Sequence, residues 1–116
     1  MAVTRKEIIN FEIDQGCDFK KTFTVTTDGS TAHDISGLTL TSKMRKTYES
    51  SSEAATFTTS IVSGSDGTYN LTLANATTAT LEAGRYVYDV ELILADSTIE
   101  KVHYGIITVN PEATKV

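Results

Sequence analysis

The run Gly84–Leu94, GRYVYDVELIL, limits what this chain can become more than any other stretch. Tyr86, Tyr88, Val90, Leu92 and Leu94 alternate with Arg85, Val87, Asp89, Glu91 and Ile93. A period of two marks a β-strand with one buried face. The other face is mixed, because Val87 and Ile93 stand among Asp89 and Glu91. A strand this apolar belongs inside a sheet, not at its edge.

The rest of the chain repeats the pattern in shorter pieces. Ile8–Ile13 reads as a first strand, with Phe11 and Ile13 in phase. Gly16 bends the chain, and Cys17–Thr26 follows with Cys17, Phe19, Phe23 and Val25 on one side. Lys21 falls in that apolar phase and is expected near a strand end or bulge. Thr27-Asp28-Gly29-Ser30 is a turn signal. Ile35 and Leu38 should plug the core from the next connector. Leu38–Tyr48 is a strand with Leu38, Leu40, Ser42, Met44 and Tyr48 in the inward phase. Glu49–Glu53 is a polar loop. Ala55–Ser63, with Phe57, Thr59 and Ile61 in phase, leads through Gly64-Ser65-Asp66-Gly67 to Thr68–Ala74, with Tyr69, Leu71 and Leu73 inward. Asp-Gly makes this a strong hairpin signal.

Asn75–Ala83 breaks the alternation. Asn75 can cap one or two helical turns that Gly84 ends, dropping Leu81 into the core. Thr98–Asn110 forms the last strand, in which Val102 and Tyr104 have one parity and Ile107 and Val109 the other. Gly105 is the natural site for a bulge between them. Seven strands, frequent turn signals and one helical turn predict an all-β, Ig-like antiparallel Greek-key β-sandwich. Its expected core holds Phe19, Phe23, Leu38, Leu40, Phe57, Ile61, Leu71, Leu73, Tyr86, Tyr88, Val90 and Leu92. The 116 residues fit a single domain, 1–116, with flexible ends near 1–7 and 112–116.

Composition excludes several functions. The formal charge of −5 would repel nucleic acid unless positive charge were gathered. Lys43, Arg45 and Lys46, with Tyr48 nearby, are the densest basic group. They read as a solvated strand face. Cys17 is the one cysteine, so no intramolecular disulfide can form, and its phase predicts a small buried hydrophobe. No apolar run is long enough to span a membrane, and Met1–Lys6 leads into no signal peptide. The sequons at Asn70 and Asn75 are chance matches in a Thr-rich chain.

No Gly-rich phosphate loop, nucleophile elbow or calcium loop is present. His33 reads as an exposed loop histidine and His103 stands apart from it, so neither begins a metal site. Asp89 and Glu91 share a strand face roughly 7 Å apart by strand rise. In-phase acids of this kind are a solvated face or a contact surface rather than a catalytic pair. His103 could approach them as a cross-strand structural partner. No catalytic, cofactor-binding or metal residue is assigned. Leu81-Glu82-Ala83-Gly84-Arg85-Tyr86 resembles the lead-in to a tyrosine corner, with Tyr86 the candidate; plain core filling by both Tyr86 and Tyr88 is the alternative.

Several segments together resemble a known family. They are Phe11-Glu12-Ile13-Asp14-Gln15-Gly16, Asp34-Ile35-Ser36-Gly37-Leu38, Met44-Arg45-Lys46, Gly67-Thr68-Tyr69-Asn70-Leu71, the run from Thr77 to Leu92, and Gly105-Ile106-Ile107-Thr108-Val109. The pattern is similar to the small Ig-like domain of tailed-phage structural proteins, found at the N-terminus of baseplate upper proteins and as small virion proteins of marine T4-like phages. The resemblance implies a non-enzymatic virion subunit of the tail or baseplate, assembled in the host cytoplasm. Its partners would be other virion proteins and copies of itself in a symmetric assembly. It implies no cofactor, nucleic acid, membrane or small-molecule substrate. Met1–Asn10 and Glu112–Val116 would be its contact arms. Capsid decoration, or a carbohydrate- or cell-surface-binding sandwich, are the alternatives. Absence of Trp argues against sugar stacking.

Overall fold

The computed structural model describes residues 6–27 and 31–113. The segment 28–30, at the heart of the first expected turn, lies outside them, as do residues 1–5 and 114–116 of the expected contact arms.

Two sheets face each other. One contains β1 (Glu7–Ile8), β2 (Phe11–Asp14), β4 (Thr39–Arg45), β5 (Ala55–Thr56), β8 (Gly84–Ile93) and β9 (Ile99–Asn110). Its order is β1-β9-β8-β4-β5, with β2 continuing β1 along β9. The other contains β3 (Phe19–Thr24), β6 (Thr58–Ser63) and β7 (Thr68–Leu73), in the order β3-β7-β6. The chain changes sheets between β2 and β3, between β3 and β4, between β5 and β6, and between β7 and β8. This is an all-β sandwich with the Ig order of strands. As its alternation requires, β8 is central, hydrogen-bonded to β9 on one side and β4 on the other.

Core residues come from both layers. Tyr88, Val90 and Leu92 of β8 are buried, as are Val102, Ile107 and Val109 of β9. Phe23, Tyr69, Leu71 and Leu73 meet them from the smaller sheet, and Ile35 and Leu81 close the ends. Phe11 links the layers through its ring, stacked on Phe19 at 5.2 Å and edge-on to Tyr88 at 4.9 Å. Such pairs add about 0.5–1.5 kcal/mol beyond area burial.

Several expectations need correction. Two of the seven expected strands are split. Ile9 and Asn10 separate β1 from β2, and both run parallel to β9 rather than antiparallel. Parallel pairing needs a long crossover, and here the whole domain supplies it. Glu7 and Ile8 of the expected N-terminal arm are therefore part of a sheet, and the Ile9 N–H beside them donates to the Tyr104 carbonyl. The Ala55–Ser63 strand divides at Phe57, which buries its ring while its N–H donates to the Ser42 carbonyl at 3.0 Å. Downstream, β6 forms the edge of the narrower sheet. Ile61, in core phase, is thus 37% exposed.

Phe19 and Leu38 are only partly buried. Cys17 is exposed, because the turn at Gly16 (φ +83°) delays β3 until Phe19. Lys21 lies within β3, not at an end or bulge. β3 is itself an edge strand, so the lysine reaches water over the Phe23 ring at 5.7 Å. Tyr48 lies beyond the end of β4 and is exposed.

The short helix α1 (Asn75–Thr78) begins after Ala74 with no side-chain cap of its own. Instead Asp18 accepts hydrogen bonds from the Asn75 N–H (2.8 Å) and Nδ2 (3.0 Å). The helix ends at Ala79, and Gly84 opens β8 rather than closing the helix.

Candidate functional site

Burial of the even-numbered side chains of β8 leaves the odd ones on the outer face of the larger sheet. There the register builds a grid. Ile93 lies beside Thr39 and Ile99, Glu91 beside Thr41 and Lys101, and Asp89 beside Lys43 and Tyr104. Val87 lies beside Arg45 and Ile106, and Arg85 beside Thr108. Ile8 of β1 adds an apolar side chain next to Tyr104. Lys43, Arg45, Asp89 and Glu91, separate in the sequence, share this one surface.

The charges are only partly satisfied within the chain. Lys101 Nζ is 3.3 Å from Asp89 Oδ2 and 5.7 Å from the centroids of both Tyr48 and Tyr104. Arg45 donates to the Ser50 carbonyl at 3.1 Å. Among the described residues Lys43, Arg45 and Glu91 make no ion pair within 4.0 Å. Tyr48 leans over the sheet and walls an open groove of about 480 Å³ with Lys43, Arg45, Val87, Asp89 and Glu91.

Apolar exposure gathers here too. Ile8 is 64% exposed, Ile99 57%, Tyr48 53% and Ile106 41%. The outer face of the smaller sheet differs in kind. Lys20, Thr22 and Thr24 of β3 register with Thr72, Asn70 and Thr68 of β7, and then with Thr58 and Ser60 of β6. That surface is polar and hydrogen-bonded to itself, as Thr22 Oγ1 to Asn70 Oδ1 at 2.6 Å illustrates.

His103 does not approach Asp89 and Glu91. The register of β9 shifts opposite Val90 and Glu91, so the bulge lies at Val102–His103 and not at Gly105. Both residues consequently point inward, and Tyr104 turns outward. His103 is fully buried, with Nδ1 2.5 Å from the Tyr69 hydroxyl. Its Nε2 makes no hydrogen bond and faces Glu7 Oε1 at 3.8 Å. Burial holds the imidazole below its ordinary pKa, against the opposing pull of Glu7 and then the Thr24 backbone.

Tyr86 donates to the Glu82 carbonyl four residues upstream at 2.7 Å, the bond of a tyrosine corner. Tyr88 reaches differently: its hydroxyl donates to the Ile9 carbonyl at 2.5 Å and pins the break between β1 and β2. Burial raises the pKa of both phenols, so they remain donors.

Among the described residues no cluster of three or more His, Cys, Asp or Glu could hold a metal ion. In the same residues no helix is long and apolar enough to cross a membrane. Sequence reasoning placed Lys43, Arg45, Asp89 and Glu91 on strand faces but did not join them. The available signal was the apolar residues in polar phase, Val87, Ile93, Ile99 and Ile106.

No protein-family model and no curated protein sequence matches the chain. Among solved structures it is similar to the Listeria monocytogenes internalin-like protein lmo2027, at 15% identity and a TM-score of 0.49. The match covers 87% of this chain but 27% of that one, so this chain spans about a quarter of its length.

Proposed function

We propose that the chain is a non-enzymatic structural subunit of a bacteriophage virion, in the tail or baseplate. It works through protein–protein contacts on the outer face of the six-stranded sheet. The observation that carries the contact role is the asymmetry of the sandwich. One outer face collects Ile8, Tyr48, Ile99 and Ile106 with Lys43, Arg45 and Glu91, while the other is Thr, Ser, Asn and Lys, with Val62 its exposed apolar side chain on the edge strand β6. Large apolar side chains gathered on one exposed surface mark an interaction site, and tyrosine and arginine are common anchors there. The virion setting rests on the family resemblance of the motifs from Phe11 to Val109.

The test is mass spectrometry of purified particles from the phage genome that encodes the chain. The proposal expects its peptides in fixed ratio to tail proteins. Expression in the infected cell with no copy in the particle would overturn it.

A second reading has one observation in its favour, the groove beside Tyr48. An exposed ring flanked by charged side chains could hold a cell-surface carbohydrate. Specific signal on a glycan array, lost in Y48A, would favour that reading.

A further inference from the structure

We infer that the outer face of the larger sheet is self-complementary and joins two copies of this chain across a two-fold axis running along the strands between β8 and β9. The inference rests on the contact role proposed for this face and names its occupant. In an isologous contact each residue must suit the residue that the axis places over it. An axis between β8 and β9 lays each β8 row over the matching β9 row of the second copy.

The rows agree one by one. Ile93 of one copy falls over Ile99 of the other, and Val87 over Ile106; both pairs are apolar. Between them, Glu91 falls over Lys101, and Asp89 over the outward-turned Tyr104, whose hydroxyl can donate to it. These are register partners within one chain, so the axis makes each pair a square of four side chains. Two apolar squares flank two polar ones, and no like charges are opposed. An axis centred on β8 would instead set Asp89 on Asp89, and Glu91 on Glu91. Farther out, Lys43 and Arg45 of β4 cross to the β1–β2 side, where Ile8 is bare and Glu12 points outward.

Size permits the contact. Four strands at ~4.8 Å spacing and eight residues at ~3.4 Å give a projected area of roughly 500 Å². Corrugated by side chains, such a face lies near the lower end of specific interfaces. A reversible, concentration-dependent dimer follows.

Sedimentation velocity of the full chain over a concentration series tests this. Wild type should pass from monomer to dimer. I99E/I106E replaces two exposed side chains, leaves the core intact and should weaken association about tenfold or more. V62E, on the edge of the other sheet, should leave it unchanged. E91K alone and K101E alone should each be monomeric, and their equimolar mixture should form a 1:1 dimer. Circular dichroism melting confirms that each variant is folded.

A wild-type monomer at every concentration would overturn the inference. So would a dimer that survives I99E/I106E or is lost in V62E, or a mixture that stays monomeric. The result is separable from the virion test. A monomer present in particles sinks only the dimer; a dimer absent from particles sinks only the virion role.

Discussion

The hydroxyl of Tyr69 and Nδ1 of His103 lie 2.5 Å apart in the buried space between the sheets. One residue belongs to β7 and the other to β9, so this bond crosses the two layers. Phe23 stacks on Tyr69 at 5.4 Å and tilts against His103 at 5.1 Å, walling the pair from water. Y69F leaves Nδ1 buried without a partner and should cost about 1–3 kcal/mol. Y69F/H103L removes both polar groups and should cost less than the two single changes added together. Urea unfolding of the four proteins checks this.

Acid should destabilise the fold through the same histidine. Burial depresses the native pKa of His103 below the unfolded value near 6.5. Between those two values the unfolded chain binds the extra proton, so stability rises with pH. The contribution is complete above about 6.5 and is lost as pH falls toward the native pKa, by about 1.4 kcal/mol per unit of depression. Glu7 opposes the depression, so E7Q should lower the native pKa further. An NMR titration of the His103 ring reads both effects.

Tyr88 and Gly105 fix the break between β1 and β2. A Cβ on Gly105 would stand 2.5 Å from the Ile9 carbonyl oxygen, too close for any real contact. The Asn10 side chain fills the gap by accepting the Ile106 N–H at 2.9 Å. G105A should therefore cost more than about 2 kcal/mol. Y88F should cost about 1 kcal/mol. It should also speed hydrogen exchange at Ile9, whose N–H bonds Tyr104, while the centre of β8 stays protected.

Cys17 should react with a thiol reagent in the folded protein. Its exposure sets this expectation. Stoichiometric labelling without denaturant, at a rate close to that of the unfolded chain, is the predicted result.

The sandwich was legible because its long strands alternate cleanly, and β8 needed nothing else. Tyr86 was legible from its local lead-in, since a tyrosine corner is closed within five residues. Longer-range features were hidden. The parallel pairing of β1 and β2 with β9 joins the two ends of the domain, and no local pattern encodes it. Gly105 offers the flexibility for a bulge in β9, but the shift at Val102–His103 buries a histidine, a residue whose polarity gives no sign of an inward position. Cys17 and Ile61 kept the right parity and still missed the core. One precedes its strand and the other lies on an edge, so parity alone could not bury them. The outer face showed only as apolar residues out of phase, such as Val87 and Ile93, because its members come from four strands and meet only once the register is set.

Lysine cross-linking in intact particles tests the contact role of that face most directly. Lys43 and Lys101 lie on it, and Lys20 lies on the opposite one. The account predicts intermolecular cross-links concentrated on Lys43 and Lys101. Cross-links confined to Lys20, with Lys43 and Lys101 reactive as in free protein, would contradict it.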